Sequence, residues 1–220
     1  MPKLNPYEKY VIDKHLKKGK LIDIDCNEGV EAHYLAKKGL TVTGVDTQKS
    51  MIPIARKGKS KAKFTLVDNY HKMPYKDSSF DYVTMFTQML EPLPSQKERM
   101  KTIKEAARLV KPKGKVIIST HTRYNSIIHE IIMSIVDGLR FLQMGLLGPW
   151  YKGLRPGDRY SERRKTYTHA YTLWEIASEI EAAGLELNEV MSSDEIDAKK
   201  HMPHKQKYAD YLIIVAHKAK

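Results

Sequence analysis

The sequence predicts an α/β protein whose core is a doubly wound, mostly parallel sheet, and three observations carry that prediction. Short apolar runs of strand length alternate with stretches of about ten residues at helical spacing across the first half of the chain. Glycines stand where several of the helical stretches should stop. Near the end, two strand-like runs at 185–190 and 208–217 are separated mainly by a polar stretch, 194–206. That stretch is too short for an ordinary helical crossover, so the last strand is expected to run antiparallel, at or next to a sheet edge.

The elements follow in order. Residues 5–18 form an amphipathic helix, with Tyr7, Tyr10, Val11 and Leu16 on or near one face. Asn5 can cap it, Pro6 falls in the first turn where a missing N–H costs little, and Gly19 ends it. Residues 20–25 are the first strand, followed by a turn and a helix over 30–38 closed by Gly39. The next strand is 41–45, with a helix from about 48 to 57 behind it; 63–67 and 81–85 are the third and fourth strands. Met100, Ile103, Ala106, Ala107 and Val110 repeat at helical spacing through 97–110, and the turn 111–114 leads into a fifth strand at 116–120. A helix at 173–183, stopped by Gly184, precedes the two closing strands, and 194–206 is expected to be a mobile loop.

Residues 121–170 break the alternation. A wide apolar stripe runs through Ile127, Ile131, Ile135 and Leu139, and 151–171 is basic and tyrosine-rich. An insertion after the fifth strand lies at the carboxyl edge of the sheet, where open α/β folds bind ligands. It is therefore read as a helical cap over the site, within a single domain spanning 1–220.

Composition narrows the function. At 41% hydrophobic and 29% charged residues, the chain is neither collagen-like, nor low-complexity, nor a polytopic membrane protein. A single cysteine, Cys26, excludes a disulfide framework, and the nine histidines show no metal-ligand spacing, so no metal is expected. The N-terminus lacks the apolar core of a signal peptide, and a cytoplasmic location is expected. The formal charge of +12 suits RNA, an anionic lipid surface or a lysine-rich solvated face. His129, Glu130, Asp137 and Arg140 interrupt 126–147, so it is not a membrane span; interfacial membrane contact through it stays open beside a core or dimer helix.

Three acid-tipped strands carry the chemistry. The run LIDIDCNEG places a buried strand into a turn and a helix, where backbone N–H groups can meet an anionic or polar ligand group. About 20 residues on, Asp46 ends the second strand, placed to accept from both hydroxyls of a ribose. Asp68 ends the third and could accept from an amino group on a base. Together they suit an adenosine-type ligand spread across neighbouring strand ends.

At this point the sequence resembles the class I S-adenosylmethionine-dependent methyltransferases, in the group that includes quinone-biosynthesis enzymes. The likeness is carried by LIDIDCNEG, TVTGVDTQKSMIPIAR, FTLVDNYHKMPYKDSSFDYVTM, MLEPLP, KEAARLVKPKGKVII and YTLWEIASEIEAAGL, in that order. It implies a Rossmann-like seven-stranded sheet with the last strand antiparallel, and S-adenosylmethionine as cofactor. It implies that Asp23 and the turn Asp25, Cys26, Asn27 and Gly29 hold the methionine part, Asp46 with Thr47 the ribose, and Asp68 with Asn69 the adenine. Thr87 and Gln88 then lie between the methionine end and the acceptor. His121, His169 and Tyr171 are candidate general bases near the mouth. Asp25 and Asn27 stand where the family carries glycine, and Pro92 where it carries a histidine. The acceptor is expected to be a hydrophobic or anionic small molecule. The alternatives are an RNA nucleoside, or a methyltransferase-fold binding or scaffold protein with weak cofactor binding.

Overall fold

A computed structural model describes residues 4–122, 131–132, 135, 138–139, 157–161, 166–200 and 211–219. The chain runs α1 (Pro6–His15), β1 (Lys20–Ile24), α2 (Val30–Lys37), β2 (Thr41–Asp46), α3 (Met51–Ala55), β3 (Lys63–Leu66), β4 (Phe80–Met85), α4 (Gln96–Leu109) and β5 (Val110–His121). It continues through β6 (Asp158–Ser161), β7 (Thr166–His169), α5 (Leu173–Ala182), β8 (Leu185–Ser192), α6 (Ser193–Lys200) and β9 (Tyr211–Lys218).

Seven strands form one sheet in the order β3-β2-β1-β4-β5-β9-β8. β1 to β5 pair in parallel, and β9 runs antiparallel to both β5 and β8. The reversed strand expected from the sequence is therefore one in from the edge. The parallel strands are nearly continuous apolar runs because both faces are covered. Leu21, Ile117 and Ile213 pack on one face with Ile12 of α1, Leu35 of α2 and Ile52 of α3. Ile22, Ile118 and Ile214 pack on the other with Ile103 of α4 and Ile176 of α5. The alternation of neighbouring residues between faces is the strand period of two.

Helix starts follow local chemistry. Asn5 Oδ1 accepts from the Tyr7 amide at 2.9 Å, with Pro6 at the first position. Ser95 and Glu98 open α4, and Thr172 and Glu175 open α5, each cap oxygen accepting from the glutamate's amide.

Three elements differ from the expectation. α3 starts at Met51 instead of about 48, because the Gln48 amide is taken by the Asp46 carboxylate at 2.7 Å. β5 starts at Val110 instead of 116, but its pairing with β4 jumps from Val110 to Lys115 and Lys113 is left-handed at φ 63°, so the expected turn at 111–114 survives as a bulge inside the strand. Residues 194–200, expected as part of a mobile loop over 194–206, belong to α6, which starts at Ser193 and carries Asp194 and Glu195 in its first turn. Ser192 and Glu195 exchange side-chain-to-amide hydrogen bonds there, both at 3.2 Å.

In the inserted region, β6 and β7 pair as an antiparallel two-stranded sheet, so the cap is not helical throughout. Its described helical residues expose Ile131, Ile132, Ile135 and Leu139 by more than half. Lys152, Arg155 and the run 162–165 lie outside the described residues. Among the described residues no helix is long and apolar enough to cross a membrane.

Candidate active site

The ends of β1, β2 and β4 converge on the turn 25–29. Its backbone is left-handed at Asp25 (φ 63°), Asn27 (φ 46°) and Gly29 (φ 78°). Glycine adopts this conformation freely, and Asp and Asn are among the side-chain-bearing residues most often found in it. Gly29 is also required by space, since a Cβ there would lie 2.8 Å from the Phe64 ring. Cys26 sits under the turn, buried, with its amide on the Val45 carbonyl at 3.0 Å and its thiol pushed up by burial and by the acids around it. That describes a packing residue with no thiolate character.

The turn is fastened to its neighbours by carboxylates. Asp46 is fully buried; one oxygen accepts from the Asn27 amide at 2.8 Å and the other from the Gln48 amide. Asp25 accepts from the Tyr70 hydroxyl at 2.7 Å, and that hydroxyl in turn accepts from the Thr47 amide at 3.1 Å. Tyr70 thus bridges the tips of β1 and β2, a role that no local pattern in the sequence announced. Burial pushes the Asp25 carboxyl up, and the Asp46 charge adds to this. Asp68 is exposed, and the half-buried Asn69 accepts from the His71 amide at 3.2 Å.

Asp23 is buried, with one oxygen accepting from Thr84 Oγ1 at 2.7 Å and the other without a partner among the described residues. Desolvation, with Glu31 next in weight, holds its carboxyl well above the usual range. Across from it, Thr87 and Gln88 are left-handed at φ 51° and 57°. A β-branched residue rarely adopts that conformation. The Thr87 amide is held by Glu8 of α1 at 2.9 Å. Glu8 is fully buried; the same oxygen accepts from Ser119 Oγ at 2.8 Å and from the Tyr211 hydroxyl, and the other oxygen has no partner among the described residues.

A cavity of about 430 Å³ opens over these groups, lined by Asp25, Asn27 and Thr87 and also by Asn5, Glu28 and Glu31. Of the residues expected to hold the cofactor, Asp23, Cys26, Gly29, Gln88, Asp46, Thr47, Asp68 and Asn69 are not among its lining; the Tyr70 bridge stands between Asp25 and Thr47. Glu8 and Glu31 were not foreseen. Glu8 reaches the site only through tertiary packing, and Glu31 reads as an ordinary first-turn acid of a helix.

The three candidate bases separate. His169 is fully buried, with Asp158 at 2.6 Å from Nδ1 and Glu175 at 2.9 Å from Nε2. Tyr171 is also fully buried, and its hydroxyl donates to Glu179 at 3.2 Å. Both side chains are thus enclosed in packing against α4 and α5 with no open face, although the Tyr171 backbone lies beside His121, its amide 3.4 Å from the His121 carbonyl. His121, at the end of β5, is partly exposed, with Nδ1 3.2 Å from Glu91, which also accepts from its amide at 2.7 Å.

A seven-stranded doubly wound sheet with one reversed strand, and acids at the tips of β1 and β2, defines the chain as one of class I methyltransferase fold. Residues 22–118 match the family described as methyltransferase domain. A ubiquinone biosynthesis O-methyltransferase of Coxiella burnetii is 35% identical over 127 residues, 54% of this chain and 52% of that protein. The chain spans about half the length of such curated relatives. A SAM-dependent methyltransferase of Methanosarcina mazei superposes with a TM-score of 0.71 at 21% identity, over 99% of both chains. The Burkholderia thailandensis 1,6-didemethyltoxoflavin-N1-methyltransferase, solved with its acceptor and S-adenosylhomocysteine bound, does so with 0.66 at 15%, over 98% of this chain and 78% of that one. The class I resemblance read from the sequence is borne out.

Proposed function

We propose that this protein is an S-adenosylmethionine-dependent methyltransferase acting on a hydrophobic or anionic small molecule. The observation that carries the reading is the acid-lined cavity at the carboxyl ends of β1 and β4, inside the segment that matches the methyltransferase domain. The residues fit such a cofactor: a cation suits the lining acids Asp25, Glu28 and Glu31. When bound, S-adenosylmethionine supplies a methyl group already activated on a sulfonium, so the protein's work is holding and alignment.

Asp23 and the turn at Asp25, Asn27 and Gly29 cradle the methionine part, and Thr87 and Gln88 border the transferred methyl. Asp46 and Thr47 face the ribose and Asp68 and Asn69 the base, once the Tyr70 hydroxyl leaves the span between Asp25 and Thr47. His121, oriented by Glu91, removes a proton from an acceptor that must lose one. The exposed Ile131, Ile132, Ile135 and Leu139 support a lipophilic acceptor or contact with a lipid surface. The name of the Coxiella relative points the same way.

The test is calorimetric titration with S-adenosylmethionine and with S-adenosylhomocysteine. Micromolar binding is expected; no binding up to about a millimolar, weaker than roughly −4 kcal/mol, overturns the reading and favours a scaffold protein. The charge of +12 favours RNA as a second acceptor class. Affinity for bulk tRNA that falls steeply with salt would support it.

A further inference from the structure

Glu31 is an acid of the cavity whose carboxylate is held only by its own backbone amide among the described residues. It lies in the first turn of α2, is 8% exposed, lines the cavity, and has no side-chain partner among the described residues. The charged groups near it are acidic. Glu8 approaches from α1 with a buried oxygen that has no partner among the described residues, and Asp23 from β1 with another. Asp25 and Glu28 line the same cavity from the turn, Asp46 stands behind Asp25, and Tyr211 of β9 donates to Glu8. No lysine or arginine is among the described residues of the lining. Buried carboxylates without a counter-charge either keep a proton or wait for a cation.

We propose that Glu31, backed by Glu8, is a proton-linked receptor for the sulfonium of S-adenosylmethionine. The site keeps a proton on Glu31 while no cation is present and releases it when the sulfonium arrives. It takes one back when transfer leaves the neutral thioether of S-adenosylhomocysteine. The charge lost in the reaction thereby weakens the hold on the product. Glu31 is poised for this, because burial, with the Glu8 charge adding to it, pushes its carboxyl up to about 7. The inference rests on the cofactor reading above and assigns a group within it.

The experiment is titration calorimetry of the full chain with each ligand, in pairs of buffers differing in ionisation enthalpy, from pH 6 to 8. At pH 7 S-adenosylmethionine is expected to release about half a proton and S-adenosylhomocysteine almost none. The preference for the methylated ligand should grow roughly tenfold from pH 6 to pH 8. In Glu31→Gln both the proton release and the pH dependence should vanish. Equal proton release with the two ligands, or release unchanged in Glu31→Gln, overturns the proposal while leaving the cofactor reading intact. Wild-type protein that binds neither ligand overturns both. Should Glu31→Gln fail to fold, as judged by circular dichroism, the comparison of the two ligands on the wild type still decides.

Discussion

Left-handed backbone at residues other than glycine concentrates where the ligand is proposed to lie: Asp25, Asn27, Thr87 and Gln88 all carry it. Each such residue costs of order 1 kcal/mol or more, and persists only when its surroundings fix it. Here the fixing groups are the Asp46 carboxylate on the Asn27 amide, the Tyr70 hydroxyl on Asp25, and Glu8 on the Thr87 amide. Replacing Asp25 and Asn27 together by glycine removes two strained positions and a carboxylate that opposes the methionine carboxylate. It also releases Tyr70 from its bridge. Two like charges about 4 Å apart repel by roughly 1–4 kcal/mol at effective dielectrics of 80 to 20. The Asp25→Gly, Asn27→Gly double variant should therefore bind S-adenosylmethionine at least several-fold more tightly by calorimetry. Unchanged or weaker binding would remove the repulsion argument.

Between elements, Arg99 of α4 does for the inserted hairpin what the carboxylates do for the turn. It is 1% exposed, with its guanidinium 3.8 Å from Glu175 and Glu179 of α5, 3.2 Å from the Tyr167 hydroxyl of β7, and 5.3 Å over the Tyr171 ring. Its removal strands the buried Glu179 without its counter-charge. Arg99→Ala is accordingly expected to cost about 3–5 kcal/mol, read as a lower midpoint in denaturant unfolding. The strands and most helices were legible in the sequence because each carries its own period and stop signal, as β1 and α4 do. The hairpin and α6 were not: the first lay in a stretch dominated by charge, and the second starts at a short Ser-x-x-Glu signature beside a polar run. At the site, Asp25, Asn27 and Thr87, which line the cavity, were named through the resemblance to the methyltransferase family. Glu8, Glu31 and Tyr70 owe their positions to contacts between segments far apart in the chain, such as Tyr70 with Asp25, which local patterning does not encode.

At the scale of the whole molecule, buried acids set the response to pH. Glu31 titrates ordinarily near 4.5 and at about 7 in the fold, so folding opposes its ionisation. Below pH 4.5 neither state is charged at this group and nothing is lost. Between 4.5 and 7 the unfolded chain ionises while the folded one keeps its proton, and stability declines by about 3 kcal/mol. Asp23 and Glu8, also raised, act in the same sense. The protein free of ligand should melt at a lower temperature at pH 8 than at pH 5.5, with a shallower fall in Glu31→Gln; a rise towards pH 8 would contradict this. The reversed strand has one more consequence, in the order of assembly. Tyr211 lies 203 residues from the Glu8 that it touches, and β9 completes the sheet between β5 and β8. While a ribosome is still making residues 1–200, the slot beside β5 stands open and the Glu8 carboxylate of α1 has the Ser119 hydroxyl but not that of Tyr211. The parallel half can form early, whereas the acidic chamber closes only when the last strand slides in, a long-range pairing of the kind that folds slowly.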